Sequence, residues 1–222
     1  MSYWREYWAG LDDAGHRYQT EEGLRFYARE LRHYFPERPV RVLELGCGNG
    51  DLYDHLKSQF KSYVGIDFSQ AMLAKYKAKC TDTALVQADV SRLPLGTCQY
   101  DVVLSTGVCQ YLDKDMLRSN LEQVYHLLDT EGIYLIANIP DAQLRWFYYA
   151  GALRGDLDQS PWLRTLCSRA RAIITRKADD GIGYWYSRRA LCKLAAEYGF
   201  VGRTYSSANY EYRFHVVLRK QP

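Results

Sequence analysis

The stretch Val40-Arg-Val-Leu-Glu-Leu-Gly-Cys-Gly-Asn-Gly-Asp-Leu52 decides how the rest of this chain is arranged. Its first half is β-branched and aliphatic, which is typical of a short strand buried on both faces of a parallel sheet. Gly46, Gly48 and Gly50 then end the strand, and without a Cβ they let the main chain turn sharply and approach a ligand. The amides that follow point out of a helix N-terminus. The stretch therefore predicts a ligand-binding loop after the first strand.

The spacing of these glycines is unlike that of phosphate-binding loops. Dinucleotide loops favour Gly-x-Gly-x-x-Gly, and P-loops require a Gly-Lys-Ser/Thr ending that this stretch lacks. Glu44 lies inside the strand, two residues before the first glycine, where a carboxylate would repel a pyrophosphate but could hold a cationic amino group. We therefore expect a zwitterionic ligand.

The pattern hydrophobic-Glu-hydrophobic-Gly-x-Gly-x-Gly resembles motif I of the class I methyltransferases that use S-adenosylmethionine. The resemblance implies that this cofactor binds at the loop. Its expected contacts there are Glu44, Gly46, Cys47, Gly48 and Gly50.

An acidic residue, Asp67, follows the second predicted strand. Its distance from Gly48 along the chain is about what an acid on a ribose requires in a βαβ unit. Two ribose hydroxyls could donate to it, each charge-assisted bond being worth about 1.5 to 3 kcal/mol. The alternative is that Asp67 only caps the next helix, a position that Ser69 already suits.

Further cofactor contacts follow from the same resemblance. Asp89 would accept from the adenine amino group and Val90 would pack on the ring, although an aspartate at a strand end can also be an ordinary surface residue. The fourth strand begins at Asp101, and near its end the family transfers the methyl group. The remaining implied cofactor contacts are Phe68, Met72, Thr106 and Gly107.

Length and composition indicate one globular domain. The chain has 222 residues, 47% of them apolar and 25% charged, and its net charge of +3 is too small to indicate nucleic acid by itself. Neither a leader peptide nor an apolar window of the ~18 residues that a membrane span needs is evident. The six cysteines form no Cys-x-x-Cys pair and have no histidine at zinc spacing, so we expect reduced thiols, no metal site and a cytoplasmic protein.

The order of predicted elements favours an α/β fold with a doubly wound, seven-stranded and mostly parallel sheet, as in class I methyltransferases. We expect an N-terminal helical lid in residues 1–38, made of two helices, and a cofactor-binding core in 39–140. A helical insertion would occupy 141–189, and the last helix and two antiparallel strands 190–222.

Three local predictions are specific enough to be checked. The apolar spacing predicts a helix from Asp51 to Phe60 and a third strand from Thr83 to Val90. The polar sequence Asp129-Thr-Glu-Gly132 predicts a turn before the fifth strand.

The insertion has its own composition. Residues 141–189 hold nine Arg and Lys against five Asp, a balance of +4, and eight aromatic residues lie among them. Aromatic rings between basic residues could line a pocket for an acidic or aromatic acceptor, or lie against a membrane surface. They could equally belong to a helical cap that packs on the sheet edge.

We therefore expect an S-adenosylmethionine-dependent methyltransferase that acts on an O, N or C atom of a small organic acceptor, of natural-product type or acidic and aromatic. A nicotinamide-dependent oxidoreductase is disfavoured by the glycine spacing and Glu44. A non-catalytic adenosyl-binding partner protein and an RNA methyltransferase also compete with this interpretation. We expect no nucleic acid partner, no stable membrane insertion, and a monomer or homodimer.

The candidate catalytic residues are His16, Tyr18 and Tyr111. His16 titrates near neutral pH and could serve as the base, through a water if necessary, while the tyrosines orient the acceptor. We predict that His16→Ala lowers turnover far more than it lowers cofactor affinity. Turnover at saturating acceptor, with affinity measured separately, checks this, and unchanged turnover would remove His16 from the mechanism.

Overall fold

The computed structural model describes residues 20–94, 96, 99–149, 153 and 182–221. Helices and strands alternate through most of the described chain. In chain order they are α1 (Glu21–Arg32), β1 (Val40–Leu45), α2 (Tyr53–Leu56), β2 (Phe60–Asp67), α3 (Gln70–Lys79), β3 (Ala84–Gln87), β4 (Tyr100–Thr106), α4 (Lys114–Leu127), β5 (Leu128–Pro140), α5 (Arg145–Tyr149), α6 (Arg188–Ala196), β6 (Phe200–Ser206) and β7 (Arg213–Lys220).

The strands form one seven-stranded sheet in the order β3-β2-β1-β4-β5-β7-β6. Strands β1 to β5 pair in parallel, and β7 is antiparallel to both β5 and β6. This confirms the predicted doubly wound, mostly parallel sheet. The strand order reverses between β1 and β4, and open α/β sheets bind ligands at such a switch point.

Helices cover both faces of the sheet. Val42 and Leu43 are adjacent in β1, point to opposite faces and are both completely buried. Val42 packs in the cluster that includes α1, α2 and α3, whereas Leu43 packs in the cluster that includes α4 and α6. The unbroken apolar run of β1 is therefore explained by burial on two sides. None of the described helices is long and apolar enough to cross a membrane.

The predicted helix from Asp51 to Phe60 is wrong in its extent. The helix covers only Tyr53–Leu56, a 3-10 turn follows, and Phe60 already belongs to β2. Phe60 pairs with Val40 of β1, and its ring centroid lies 5.3 Å from that of Tyr63. Pairing with a distant strand outweighs the local helical periodicity. The third strand is likewise shorter than predicted, covering Ala84–Gln87.

The predicted turn at Asp129–Gly132 lies within the span of β5. Tyr100 of β4 pairs with Leu128, and Val102, two residues later, pairs with Ile133. Residues 129–132 of β5 therefore bulge out of the ladder. Bulges add residues to one strand without ending it. The sequence located the irregularity correctly but did not show that the strand continues across it.

The aromatic residues of the insertion divide into two groups. Trp146 and Phe147 of α5 are 63% and 56% exposed. Tyr148 and Tyr149 are buried against Trp185, with ring centroids 5.5 and 5.8 Å away. Tyr148 and Tyr149 thus pack inside the protein, as the helical-cap alternative expects, while Trp146 and Phe147 are largely exposed. Residues 150–152 and 154–181 lie outside the described chain.

A buried carboxylate joins β4 to β1. Asp101 Oδ2 accepts from the Arg41 main-chain N–H at 2.7 Å and from Arg41 Nε at 3.0 Å, and Oδ1 accepts from Arg38 at 3.0 Å. Arg41 also donates to Asp129, 2.7 Å away. The hydrogen bonds from Arg41 hold the pKa of Asp101 well below its ordinary value although burial opposes them. This network fixes the ends of three strands at the edge remote from the glycine loop.

We predict that Asp101→Asn lowers the free energy of unfolding at pH 7 by about 2 kcal/mol, because it removes hydrogen bonds to a charged group. The folded pKa is depressed, so this contribution is present above the unfolded pKa and is lost as the pH falls toward the folded value. Urea unfolding at pH 7 and pH 2.5 should therefore show a difference that shrinks in acid. Asp115→Asn, at a side chain that is 94% exposed, is the control and should change little.

Candidate functional site

The loops that follow β1, β2, β3 and β4 meet at one edge of the sheet, because these strands are parallel. They contain residues 46–52, 67–69, 88–91 and 106–111. Most of the sequence-predicted site residues lie in these loops. His16 and Tyr18 lie outside the described residues.

The three loop glycines all have positive φ, at +75°, +55° and +79° for Gly46, Gly48 and Gly50. A Cβ on Gly46 would lie 2.2 Å from Val108 Cγ2, and one on Gly50 would lie 2.4 Å from the Tyr76 ring. A Cβ on Gly48 would meet no atom of the described residues within 4 Å. The outer glycines are thus required by packing, whereas no described residue crowds Gly48, so a ligand could approach its backbone.

Asp67 is held directly beneath this loop. The Gly48 N–H donates to Asp67 Oδ2 at 2.9 Å, and the Ser69 N–H donates to Oδ1 at 2.8 Å. Two backbone donors therefore fix the orientation of the carboxylate. Ser69, not Asp67, caps α3, since its Oγ accepts from the Met72 N–H at 3.4 Å. Asp67 is therefore not the N-cap of α3.

Glu44 lies in β1 on the side of α1 and α3. Its Oε2 accepts from the Tyr63 hydroxyl at 2.6 Å, and the residue is 4% exposed. Burial raises the pKa of Glu44 to about 7, with smaller contributions from the charges of Asp67 and Asp51, although the Tyr63 hydrogen bond opposes the rise. A carboxyl group in this state gains a proton or a cation at little cost near neutral pH.

The turn after β3 is held by its own side chains and by α4. Asp89 Oδ1 accepts from the Ser91 N–H at 2.8 Å and from its hydroxyl at 2.7 Å. Asn120 donates to the Val90 carbonyl at 2.8 Å and is completely buried. Asn120 was not predicted from the sequence, where its only signal is an amide on the buried face of an amphipathic helix.

The loop after β4 forms the other wall of the site. Thr106 is 5% exposed, and Gly107, at φ +62°, donates its N–H to the Ala137 carbonyl at 2.9 Å. Tyr111 is half-buried, and its hydroxyl accepts from Gln110 Nε2 at 3.2 Å. Burial raises the pKa of the Cys109 thiol to about 12, so this thiol is a poor nucleophile.

The remaining implied contacts lie in the same region. Met72 is 3% exposed at the start of α3, and Phe68 is half-buried between Asp67 and Ser69. Cys47 is buried, and burial raises the pKa of its thiol. Among the described residues, no three His, Cys, Asp or Glu side chains come together in a way that could hold a metal ion.

Asn138, another polar residue near the site, was also not predicted from the sequence. Asn138 in β5 has φ +65°, the one positive value among described residues other than glycine. Such a conformation costs on the order of 1 kcal/mol and is enriched near functional sites. Asn138 adjoins a break in the β5–β7 register, which falls between Ile136 and Ile139. Only the pairing with the distant β7 reveals this feature.

A doubly wound sheet with a glycine loop after its first strand and an acid after its second defines the class of nucleotide-binding α/β proteins. Within that class, residues 42–132 match the family model described as a methyltransferase domain. Over these residues, which include the glycine loop, Asp67 and the loop after β4, the chain is similar to methyltransferase domains.

Named relatives share part of the chain. This chain is 28% identical over 139 residues to a malonyl-[acyl-carrier protein] O-methyltransferase of Enterobacter lignolyticus, and the match covers 60% of this chain and 55% of that protein. It is 26% identical over 145 residues to nodulation protein S of Azorhizobium caulinodans, covering 64% and 66%. The chain thus spans about half to two thirds of the length of these two curated relatives.

Solved structures share the fold over nearly the whole chain. The N-methyltransferase NodS from Bradyrhizobium japonicum, crystallised with S-adenosyl-L-homocysteine, superposes with a TM-score of 0.67 at 13% identity, covering 98% of this chain and 96% of that one. The seven-stranded architecture is therefore that of the class I methyltransferases.

We predict that Glu44→Gln stabilises the fold more at pH 8 than at pH 4. The folded pKa is raised from 4.5 to about 7, so between these values the folded chain binds more protons than the unfolded chain and loses stability as the pH rises. The amide cannot ionise, so the variant should gain about 2 to 3 kcal/mol relative to wild type over this range. Urea unfolding at both pH values measures the gain, with the exposed Glu122→Gln as control. A difference independent of pH would contradict the raised pKa.

Proposed function

We propose that this protein transfers a methyl group from S-adenosylmethionine to a small organic acceptor. The observation that carries the proposal is the pairing of Gly48 with Asp67: an open backbone position donates its N–H to a buried carboxylate at 2.9 Å. Asp67 held in this way would place its carboxylate where the ribose hydroxyls of a nucleoside could donate to it. The activity, the acceptor and the partners of the whole protein are all part of what we propose.

The residues present fit the cofactor chemically. Three carboxylates lie in or below successive loops: Glu44 would face the ammonium group, Asp67 the ribose hydroxyls, and Asp89 the adenine amino group. The loops with residues 46–52, 67–69, 88–91 and 106–111 contain no Lys or Arg. A pyrophosphate would find no cation there, which disfavours a nicotinamide dinucleotide.

The cofactor supplies an activated methyl group, so the protein chiefly has to align the acceptor with it and exclude water. The main chain at Thr106 and Gly107 would flank the methionine part, and Tyr111 would orient the acceptor. His16 would take the proton if the acceptor is a hydroxyl or an acidic carbon, with Tyr18 beside it. Residues 1–38 would form the lid, 39–140 the core, and 141–189 the wall of the acceptor pocket.

We infer a small, acidic or aromatic acceptor from the composition of the insertion. Its basic residues lie among aromatic ones, and Trp146 and Phe147 remain exposed beside the buried Tyr148 and Tyr149. The curated relative named first above is an O-methyltransferase, so an oxygen acceptor is favoured over carbon. We further propose a cytoplasmic monomer or homodimer that binds no nucleic acid.

Calorimetry with S-adenosyl-L-homocysteine and with NADH tests the cofactor. We expect heat with the first and none with the second, and the reverse would overturn the proposal. Release of S-adenosyl-L-homocysteine from S-adenosylmethionine, measured with hydroxybenzoates, malonyl thioesters and small amines, tests the activity. Tight binding without turnover on any acceptor would instead support a non-catalytic adenosyl-binding partner protein.

We predict that Gly48→Ala weakens binding of S-adenosyl-L-homocysteine at least 10-fold, because the added methyl group occupies the space through which the ligand approaches. The positive φ should cost only about 1 kcal/mol of stability. Calorimetry and thermal melts separate the two effects. Gly199→Ala, at φ +83° in the turn after α6, is the matched control and should lose stability but keep affinity. Equal affinities of wild type and Gly48→Ala would place the ligand elsewhere.

A further inference from the structure

A bulge near the end of β5 places an unusual residue beside the loop after β4. The register of β5 with β7 breaks between Ile136 and Ile139. Within this interval β5 has two residues, Ala137 and Asn138, whereas β7 has one, His215. A bulge of this kind turns a side chain in a new direction, and bulges are frequent next to active sites. Here the residue with the unusual backbone conformation is Asn138, at φ +65°.

Asn138 lies at the carboxyl end of the parallel strands, close to the loop after β4. The carbonyl of the preceding Ala137 accepts from the Gly107 N–H of that loop at 2.9 Å. Arg213 Nη1 donates both to the Asn138 carbonyl at 3.0 Å and to Gln110 Oε1 of the same loop at 3.2 Å. Open α/β sheets bind their ligands at this end of the strands. Asn138 therefore belongs to the region in which we propose methyl transfer.

The main chain of Asn138 is held by side chains of β7. Its N–H donates to His215 Nδ1 at 3.0 Å, and its carbonyl accepts from Arg213. His215 is completely buried, and its Nε2 lies 2.9 Å from Glu30 Oε1. Both polar groups of this peptide unit are thus bound by buried residues, which maintain the positive φ. The side chain of Asn138 is not needed for that conformation, and glycine adopts it without strain.

The carboxamide of Asn138 has no such support. The residue is 4% exposed, and its Oδ1 is buried and accepts from no donor in the described part of the chain. Buried polar atoms nearly always have a hydrogen-bond partner, and one left without a partner costs stability. A glycine at this position would avoid that cost. A buried oxygen that the protein itself leaves unsatisfied therefore points to a donor that arrives with a ligand.

We propose that Asn138 is a specificity-determining residue that hydrogen-bonds the methyl acceptor through Oδ1. An amide oxygen can only accept, so the acceptor molecule has to supply a hydrogen, from a hydroxyl group or from an amine. A molecule that presents only lone pairs or carbon at this point leaves Oδ1 unsatisfied and binds less tightly. The identity of the ligand as the methyl acceptor rests on the proposed methyl transfer, whereas the unsatisfied amide does not.

Two variants separate the side chain from the backbone conformation without any acceptor. Asn138→Gly removes the amide and keeps the positive φ, so we expect its melting temperature to stay within about 2 °C of wild type or to rise. Asn138→Ala also removes the amide but is strained at this φ, and it should melt about 2 to 4 °C below Asn138→Gly. Both should bind S-adenosyl-L-homocysteine like wild type. If Asn138→Gly melts as low as Asn138→Ala, the amide serves the fold and the proposal is wrong.

Three probes that differ in a single group test the contact itself. Para-hydroxybenzoate and para-aminobenzoate carry a donor hydrogen at the place where para-fluorobenzoate has none. In calorimetry with the S-adenosyl-L-homocysteine complex, we expect wild type to bind at least one of the first two about 10-fold or more tightly than the third. In Asn138→Gly and in Asn138→Ala this preference should fall below about 2-fold. A wild type without the preference, or variants that keep it, would overturn the proposal, as would failure of all three probes to bind.

Steady-state kinetics gives a further test with the best acceptor of the assay above. We expect the acceptor KM of Asn138→Gly to rise about 10-fold or more, because a contact made in the ground state and in the transition state is lost. Affinity for S-adenosyl-L-homocysteine should not change. An unchanged KM would mean that Asn138 does not contact the acceptor.

These experiments fail separately from the proposed function. If wild type does not bind S-adenosyl-L-homocysteine, methyl transfer is refuted, and with it the assignment of the ligand, while the melting temperatures still report whether the amide serves the fold. If wild type binds the cofactor product and turns over, but Asn138→Gly keeps the probe preference and KM of wild type, only the role of Asn138 is refuted.

Discussion

The hydrogen bond from the Gly48 N–H to Asp67 is the interaction on which the site depends. It joins the loop after β1 to the end of β2 at 2.9 Å and exists because the two strands are parallel neighbours. The Gly46 and Cys47 amides donate to the Ile66 carbonyl at 2.7 and 3.0 Å, so the same pair of strands also fixes the start of the loop. A rigid loop can then present Gly48 to a ligand without refolding.

The electrostatics of this edge follow from the same placement. Glu44 lies close enough to Asp67 and Asp51 for their charges to act on it, and the loops with residues 46–52, 67–69, 88–91 and 106–111 hold no basic side chain. The raised pKa of Glu44 is one consequence, since burial and two nearby acids all disfavour its anion. A cationic nucleoside relieves this repulsion, whereas a pyrophosphate would increase it. The charge of the site and the fold that creates it thus favour the same class of ligand.

The opposite wall is organised from farther away in the chain. Arg213, a residue of the last strand, donates to Gln110 Oε1 at 3.2 Å and to the Asn138 carbonyl at 3.0 Å, and Gln110 in turn donates to the Tyr111 hydroxyl at 3.2 Å. The Asn138 N–H donates to His215 Nδ1, and His215 Nε2 lies 2.9 Å from Glu30 Oε1. The loops after β1 and β2 are thus held by neighbouring parallel strands, whereas the loop after β4 also has a hydrogen-bond partner in the antiparallel strand β7.

The sequence by itself determined the doubly wound sheet, the glycine loop, Asp67 as the acid beside it and Ser69 as the helix cap, because each depends on residues close together in the chain. Only the tertiary structure decided that Phe60 leaves its helix to pair with Val40, and that β5 continues through a bulge. It also decided the buried partners of Gln110. Those outcomes come from contacts between residues far apart in sequence, whose energies exceed local propensity and leave no periodic signal.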